Sequence, residues 1–132
     1  MRTFIAIALT MGTFSLFAQT DNTEKIAGLL GTGNSKVLSG YFTPNVDLTV
    51  VETDDVYSKA QAEQILRKFF EENAPDAFKI EHDGKTKAGD RYVIGNLSTS
   101  NGKFRVTYFL KQINDTQLIK QLRIEESSDE IR

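Results

Sequence analysis

The chain has no cysteine and no tryptophan, and its 132 residues include one histidine and two prolines. Without cysteine there is no disulfide, no thiolate ligand for a metal and no cysteine-linked lipid anchor, so the hydrophobic core alone must stabilise the protein. A single histidine, His82, also excludes mechanisms that use two imidazoles and argues against a zinc site. We therefore predict a protein that needs no metal and no cofactor.

A strong charge of either sign is missing as well. The chain has 16 Lys and Arg residues against 18 Asp and Glu residues, which gives a net charge of −2. So mild a charge gives no electrostatic reason to expect nucleic acid or an anionic membrane surface as a partner. Beyond residue 18 no apolar run is long enough to cross a bilayer, so we predict no integral membrane segment in the mature chain.

Residues 1–18 form the longest apolar run and are predicted to be a secretory signal peptide. Arg2 provides a positive start, the stretch from Phe4 to Ala18 carries no charge, and Ala18 is a small residue before a cleavage point at Gln19. The alternative is a buried N-terminal helix or a membrane anchor, but a transmembrane helix needs about 20 apolar residues. We expect an exported, soluble protein of the periplasm or the extracellular space.

The chain beyond the predicted signal peptide indicates one α+β domain. Helical spacing predicts two short helices, and they precede a strand at 46–53 and a long helix at 58–73. From Phe78 onward apolar residues recur with a period of two, which predicts a run of antiparallel strands. Helices followed by such a run favour helices packed on one face of an antiparallel sheet. We place the domain at 19–126 and a polar tail at 127–132.

The long helix is the clearest element of the sequence. Ser58 and Gln61 match a capping box at its start, and a turn is predicted just before it at Asp54-Asp55. One apolar stripe at helical spacing is predicted to face the core: Ala62, Ile65, Leu66, Phe69 and Phe70.

Asn101-Gly102 is a strong hairpin signal and predicts a two-residue loop between two long strands. The alternation of side chains then divides these strands between two sheet faces. One face is predicted to be core and carries Val93, Leu97, Phe104, Val106, Tyr108 and Leu110. The opposite face carries Tyr92, Ile94 and Phe109 among polar residues. These three are either an interface patch or isolated exposed apolar residues, and apolar character alone does not separate the two.

The order of the predicted elements resembles a known family. The segments "YSKAQAEQILRKFF", "FKIEHDGKTKAGDRYVIGNLSTSNGKFRVTYFLK" and "QLRIEE" are similar to an exported bacterial group described as domain of unknown function 4783, within the nuclear transport factor 2-like (cystatin-like) superfamily. The resemblance implies a cone-shaped α+β fold, in which N-terminal helices pack on a curved antiparallel sheet and leave a conical pocket. It implies no established activity.

The resemblance also suggests where partners would bind. Many superfamily members dimerise through the outer sheet face, which makes Tyr92, Ile94 and Phe109 interface candidates for a homodimer or another protein partner. A small apolar ligand in the cone is the alternative. The candidates for lining that pocket are Tyr41, Tyr57, Phe69 and Tyr108, although such aromatic residues are more often core.

His82 is the residue that suggests catalysis. It shares the strand phase of Phe78 and Ile80, which would turn it inward, where some members of the superfamily use histidine, aspartate and tyrosine as acids and bases. Asp83 faces the other side of a regular strand, and the pattern assigns no second polar group beside the ring. The alternative is a histidine bonded to the backbone at a bulge, and we favour it because an isolated titratable residue is weak evidence for a site.

Three functions stay open from the sequence. The first is a non-catalytic ligand-binding or protein-binding module, and the second is a small lyase or isomerase with His82 as general base. The third is a structural role in the cell envelope. A buried carboxylate within hydrogen-bonding distance of His82 would favour the enzyme.

Overall fold

The computed structural model describes residues 22–127. The predicted signal peptide at 1–18 and the tail from 128 onward lie outside the described residues. Within the described part, no helix is long and apolar enough to span a membrane. The elements in chain order are α1 (Thr23–Thr32), α2 (Ser35–Ser39), β1 (Phe42–Val50), β2 (Thr53–Ser58), α3 (Lys59–Glu72), β3 (Pro75–Lys85), β4 (Arg91–Thr99), β5 (Gly102–Ile113) and β6 (Thr116–Glu126).

The six strands form one sheet in the order β2-β1-β6-β5-β4-β3. Four neighbouring pairs are antiparallel, as predicted, but β1 and β6 are parallel, so the sheet is mixed. The reason lies in the connection through α3, which carries the chain from β2 at one edge to β3 at the other edge. Three antiparallel reversals then bring β6 to the centre of the sheet, in the same direction as β1.

The capping box predicted at the start of the long helix is confirmed. The Oγ of Ser58 accepts a hydrogen bond from the N–H of Gln61 at 3.2 Å, and the Oε1 of Gln61 accepts one from the N–H of Ser58 at 3.1 Å. Two backbone donors at the helix start are thereby satisfied. The buried face of α3 consists of Ala62, Leu66, Phe69 and Phe70, and Ile65 is half-buried beside them.

Helix α1 is fixed to the sheet at its first turn. The N–H of Asn22 donates to Oε1 of Gln117 at 2.9 Å, and Nδ2 of Asn22 donates to the carbonyl of Gln117 at 3.0 Å. Both residues are buried. The helix ends where Gly33 adopts a φ of 71°, a left-handed conformation that glycine accepts without steric cost.

The loop of the β4–β5 hairpin was predicted at the wrong residues. Thr99 pairs with Gly102, so the loop is Ser100-Asn101 rather than Asn101-Gly102. Contacts with the end of α3 hold it there, since Nδ2 of Asn101 donates to the carbonyl of Glu72 at 2.6 Å. The register is displaced by two residues, and a shift of two leaves each side chain on its predicted face. The six residues predicted to form the core face are accordingly all buried.

The turn between β1 and β2 was also predicted at the wrong position. Val50 pairs with Thr53, so Val51 and Glu52 form the turn instead of Asp54-Asp55. Val51 has a φ of 56°, a conformation that a β-branched residue rarely adopts, and its N–H donates to the carbonyl of Ile124 at 2.8 Å. Pairing within the sheet has therefore overridden local turn preference.

Candidate functional site

Three apolar side chains lie together on the sheet face opposite to the helices and the core. Tyr92 in β4 and Phe109 in β5 are direct register partners, with ring centroids 6.2 Å apart. Ile94 follows along β4, where it pairs with Thr107. All three are half-buried. We call Tyr92, Ile94 and Phe109 the outer-face patch.

His82 lies beside this patch because β3 contains a bulge. Ile80 pairs with Gly95 and His82 pairs with Ile94, so Glu81 is an extra residue on β3. An inserted residue reverses the alternation of the side chains that follow it. Ile80 therefore packs against the core, whereas His82 is exposed on the outer face. A strand of regular period two would have turned both residues inward.

The ring of His82 is paired with a tyrosine. Its Nε2 lies 3.0 Å from the Oη of Tyr92, and the two ring centroids are 5.7 Å apart. Tyr92 in turn covers Gly84, where a Cβ atom would lie 2.9 Å from the phenol oxygen. The absence of a side chain at Gly84 thus lets the phenol approach β3 closely enough to reach His82.

No carboxylate assists the imidazole. Within residues 22–127, His82 forms its hydrogen bond with Tyr92 and no ion pair. The neighbouring Asp83 instead accepts from Nη2 of Arg91 at 2.9 Å. A general base needs an orienting group and a site for substrate next to it. In this exposed pair Tyr92 is the orienting group, but the pair lies outside the interior of the cone.

Charged side chains of both signs lie along one side of the patch. Glu81 accepts a hydrogen bond from Asn96 and lies 3.9 Å from Nη1 of Arg105. On β6, Nε of Arg123 and Oε1 of Glu125 are 3.7 Å apart. Exposed pairs of this kind contribute only about 0–1 kcal/mol to stability. We call Glu81, Arg105, Arg123 and Glu125 the charged rim.

The four candidates for lining a pocket differ in their burial and contacts. Tyr108 is fully buried, and its Oη donates to the carbonyl of Thr23 at 3.0 Å. Tyr41 and Tyr57 are half-buried and pack against the core. Phe69 borders an open groove.

This groove has a volume of about 520 Å³. It lies between the C-terminal half of α3, the β1–β2 turn, the start of β5 and the end of β6. Its walls combine apolar side chains of these elements with four charged ones. Among residues 22–127 there is no group of three or more histidine, aspartate or glutamate side chains placed to hold a metal ion.

The architecture defines the class of protein: three helices on a curved mixed sheet form a nuclear transport factor 2-like, or cystatin-like, α+β fold. A cystatin-like domain of unknown function from Nostoc punctiforme shares it with a TM-score of 0.62, over 79% of this chain and 72% of that chain. Its 9% sequence identity means that the likeness concerns the fold alone.

The chain belongs to the DUF4783 family, a domain of unknown function, whose model matches residues 23–125. A family member from Bacteroides uniformis is 32% identical, with a TM-score of 0.75 over 81% of this chain and 98% of that chain. Another from Bacteroides ovatus is 33% identical, with a TM-score of 0.73 over 79% and 94%. No curated protein matches the chain.

Sequence reasoning did not find the pairing of His82 with Tyr92 or the groove. The pairing depends on a bulge that adds one residue to β3, and Gly84 opposite an aromatic residue is the signal that points to it. The groove is formed by four elements that are distant in sequence, and no local pattern reports their approach.

Proposed function

We propose that this protein is a non-catalytic binding module that associates with a second copy of itself through the outer-face patch. The observation that carries the proposal is the continuous surface of Tyr92, Phe109 and Ile94 on the sheet face away from the helices. Aromatic residues are enriched in the buried centre of protein interfaces. Tyrosine suits such a position because its ring is apolar and its hydroxyl stays paired, here with His82.

The charged rim supports a second copy as the partner. It contains two carboxylates and two guanidinium groups within one edge of the patch. In a twofold dimer the same surface meets itself, so a rim of a single sign would repel its copy. A rim with both signs allows the acids of one subunit to face the arginines of the other, which favours register and specificity more than affinity.

Replacement of both Ile94 and Phe109 by lysine tests this surface. The variant should be a folded monomer, because two ammonium groups at the centre of the contact cannot be desolvated. Light scattering coupled to size exclusion measures the mass, and circular dichroism checks the fold. Val37→Lys is the matched control, since Val37 is an exposed apolar residue on α2, away from the patch. A wild-type protein that stays monomeric at high concentration would refute self-association.

The proposal includes export before the module acts. Its support is the charged start and uncharged apolar run of residues 1–18, which have the layout of a signal peptide. Mass spectrometry of the native protein should find an N-terminus at Gln19. A chain that retains Met1 in the cytoplasm would contradict this part of the proposal without affecting the outer-face patch.

The pocket-enzyme alternative has less support. It requires His82 beside a substrate cavity, whereas His82 is exposed on the outer face and pairs with a phenol. Neither group is at the groove that Phe69 borders. The same residues are better explained as members of a binding surface.

A further inference from the structure

The groove beside α3 is separate from the outer-face patch and has an apolar floor. Phe69 and Phe104 lie edge to face there, with ring centroids 5.0 Å apart, and Val50 continues the floor from β1. These three side chains are almost fully buried, so that only their edges reach the groove. Ile65 and Val51 are more open, and Val51 is 38% exposed. A volume of about 520 Å³ lies within the range of about 300–1,000 Å³ that is usual for small-molecule sites.

Charged side chains surround this floor, and three of the four are acidic. Glu52 comes from the β1–β2 turn, Glu72 from the end of α3 and Glu126 from the end of β6, while Lys68 is the single cation. None of the four forms an ion pair with a described residue. The groove therefore has two negative charges in excess.

The order of charges along α3 explains why Lys68 does not neutralise Glu72. The two residues are four positions apart, with the lysine on the N-terminal side. Ion pairs on a helix are weaker in this order than when the acid comes first, and this order also places both charges unfavourably for the helix dipole. By contrast, Glu63 and Arg67 have the favourable order on the same helix, and they form an ion pair at 2.6 Å.

We propose that this groove binds a small amphipathic cation, an apolar chain or ring that carries one ammonium group. The apolar part would cover Ile65 and the ring edges of Phe69 and Phe104, which burial makes favourable. The ammonium group would lie among the three carboxylates that line the groove, where it reduces the excess negative charge. A carboxylate ligand of the same shape would meet repulsion from three sides, so the sign of the charge sets the specificity.

Titration with n-hexylammonium chloride tests the proposal, with the full mature chain labelled at its isoleucine and valine methyl groups for NMR. The methyl signals of Ile65, Val50 and Val51 should shift in a saturable manner. Hexanol should bind more weakly, and hexanoate should give no saturable shift at this site. Shifts confined to the outer-face patch, or equal binding of hexanoate, would overturn the proposal.

Substitutions of the charged residues that line the groove should change the affinity for hexylammonium in opposite directions. Glu72→Gln and Glu126→Gln should each weaken the binding of hexylammonium about two- to fivefold, and Lys68→Gln should strengthen it by a similar factor, as expected for exposed charge pairs. These effects should diminish as salt is added, because salt screens exposed charges. Glu125→Gln is the matched control, since Glu125 is the sequence neighbour of Glu126 and belongs to the charged rim of the outer face.

Because the variants are expected to change the affinity in opposite directions, the test does not depend on folding. A loss of structure would weaken binding in every variant, so stronger binding by Lys68→Gln cannot come from that cause. If the variants at Glu72, Glu126 and Lys68 all bind hexylammonium as the wild type does, the carboxylates have no role and the proposal fails. The oligomeric state plays no part in these measurements, so failure here leaves the outer-face proposal untouched.

Discussion

The imidazole Nε2 of His82 and the phenol oxygen of Tyr92 lie 3.0 Å apart on the outer face of the sheet. They are brought together by one extra residue in β3, and Gly84 leaves room for the tyrosine ring. The pair fixes the orientation of two rings at the edge of the outer-face patch. His82 thus has a structural partner, and its place in the molecule is a surface rather than a cavity.

The coupling between these two side chains can be measured with a double-mutant cycle of His82→Ala and Tyr92→Phe. We expect a coupling free energy of about 0.5 kcal/mol, the lower end for a hydrogen bond, because the site is exposed. Urea denaturation provides the four unfolding free energies, at a concentration where the protein is monomeric. A coupling of zero would show that the hydrogen bond does not persist in solution.

Among the glycines of residues 22–127, Gly95 is predicted to tolerate a side chain least. A Cβ atom there would lie 2.5 Å from the backbone carbonyl of Lys79 and 2.5 Å from the ring of Phe78. Because a backbone atom cannot move aside, Gly95→Ala should lower the free energy of unfolding by at least about 2 kcal/mol. Denaturation midpoints measure the effect.

Gly28→Ala is the control for Gly95→Ala. Gly28 lies within α1, and a Cβ atom added there has no neighbour within 4 Å. Alanine favours a helix more than glycine does, so this variant should gain about 0.5–1 kcal/mol. Equal effects at the two glycines would mean that the close approach of Phe78 and Lys79 to Gly95 is absent in solution.

The buried aromatic pair of α3 should dominate the stability of the helix packing. Phe69 contacts Phe70, with ring centroids 5.6 Å apart, and packs edge to face on Phe104. Phe69→Ala or Phe70→Ala should cost about 3–5 kcal/mol, since each leaves a cavity in the core. Gln64→Ala, exposed on the same helix, should change stability by less than about 0.5 kcal/mol. An unchanged midpoint for both phenylalanine variants would contradict the packing of α3.

The turns at Val51 and Asn114 should respond in opposite directions when valine and asparagine are exchanged. Val51 and Asn114 both have a φ of 56°, but asparagine tolerates this conformation and valine does not. Val51→Asn should therefore raise the free energy of unfolding by about 1 kcal/mol, and Asn114→Val should lower it by a similar amount. Thermal unfolding of the two variants checks both signs. A loss of stability in Val51→Asn would show that contacts of the valine outweigh its backbone strain.

The parts of the fold that could be predicted from sequence are those determined by neighbours along the chain. Ser58 and Gln61 satisfy each other within one turn, and the inward alternation of Leu97, Phe104 and Val106 is a property of each strand. Both features could be predicted from the spacing of residue types. The face of each hairpin residue was correct even though the loop was misplaced, because the displacement was an even number of residues.

The parts that failed depend on residues far apart in sequence. The turn formed at Val51 and not at Asp54-Asp55, and Asp54 instead accepts a hydrogen bond from Thr49 across the strands at 2.9 Å. A bulge at His82 was favoured from the sequence, but neither its position at Glu81 nor the pairing with Tyr92 could be predicted, because both depend on the register with β4. The groove could not be predicted for the same reason, because Glu52, Glu72 and Glu126 become neighbours only through the sheet order.

The central position of β6 has a consequence for how the chain reaches its folded state. Of the six described strands it is the last to be synthesised, yet it lies between β1 and β5. Until Thr116–Glu126 has emerged, those two strands present unpaired backbone edges, which are templates for aggregation. The parallel contact of β1 with β6 also joins segments separated by most of the domain, and such long-range closure slows folding. Any factor that holds the growing chain would have to release it only after the final strand is available.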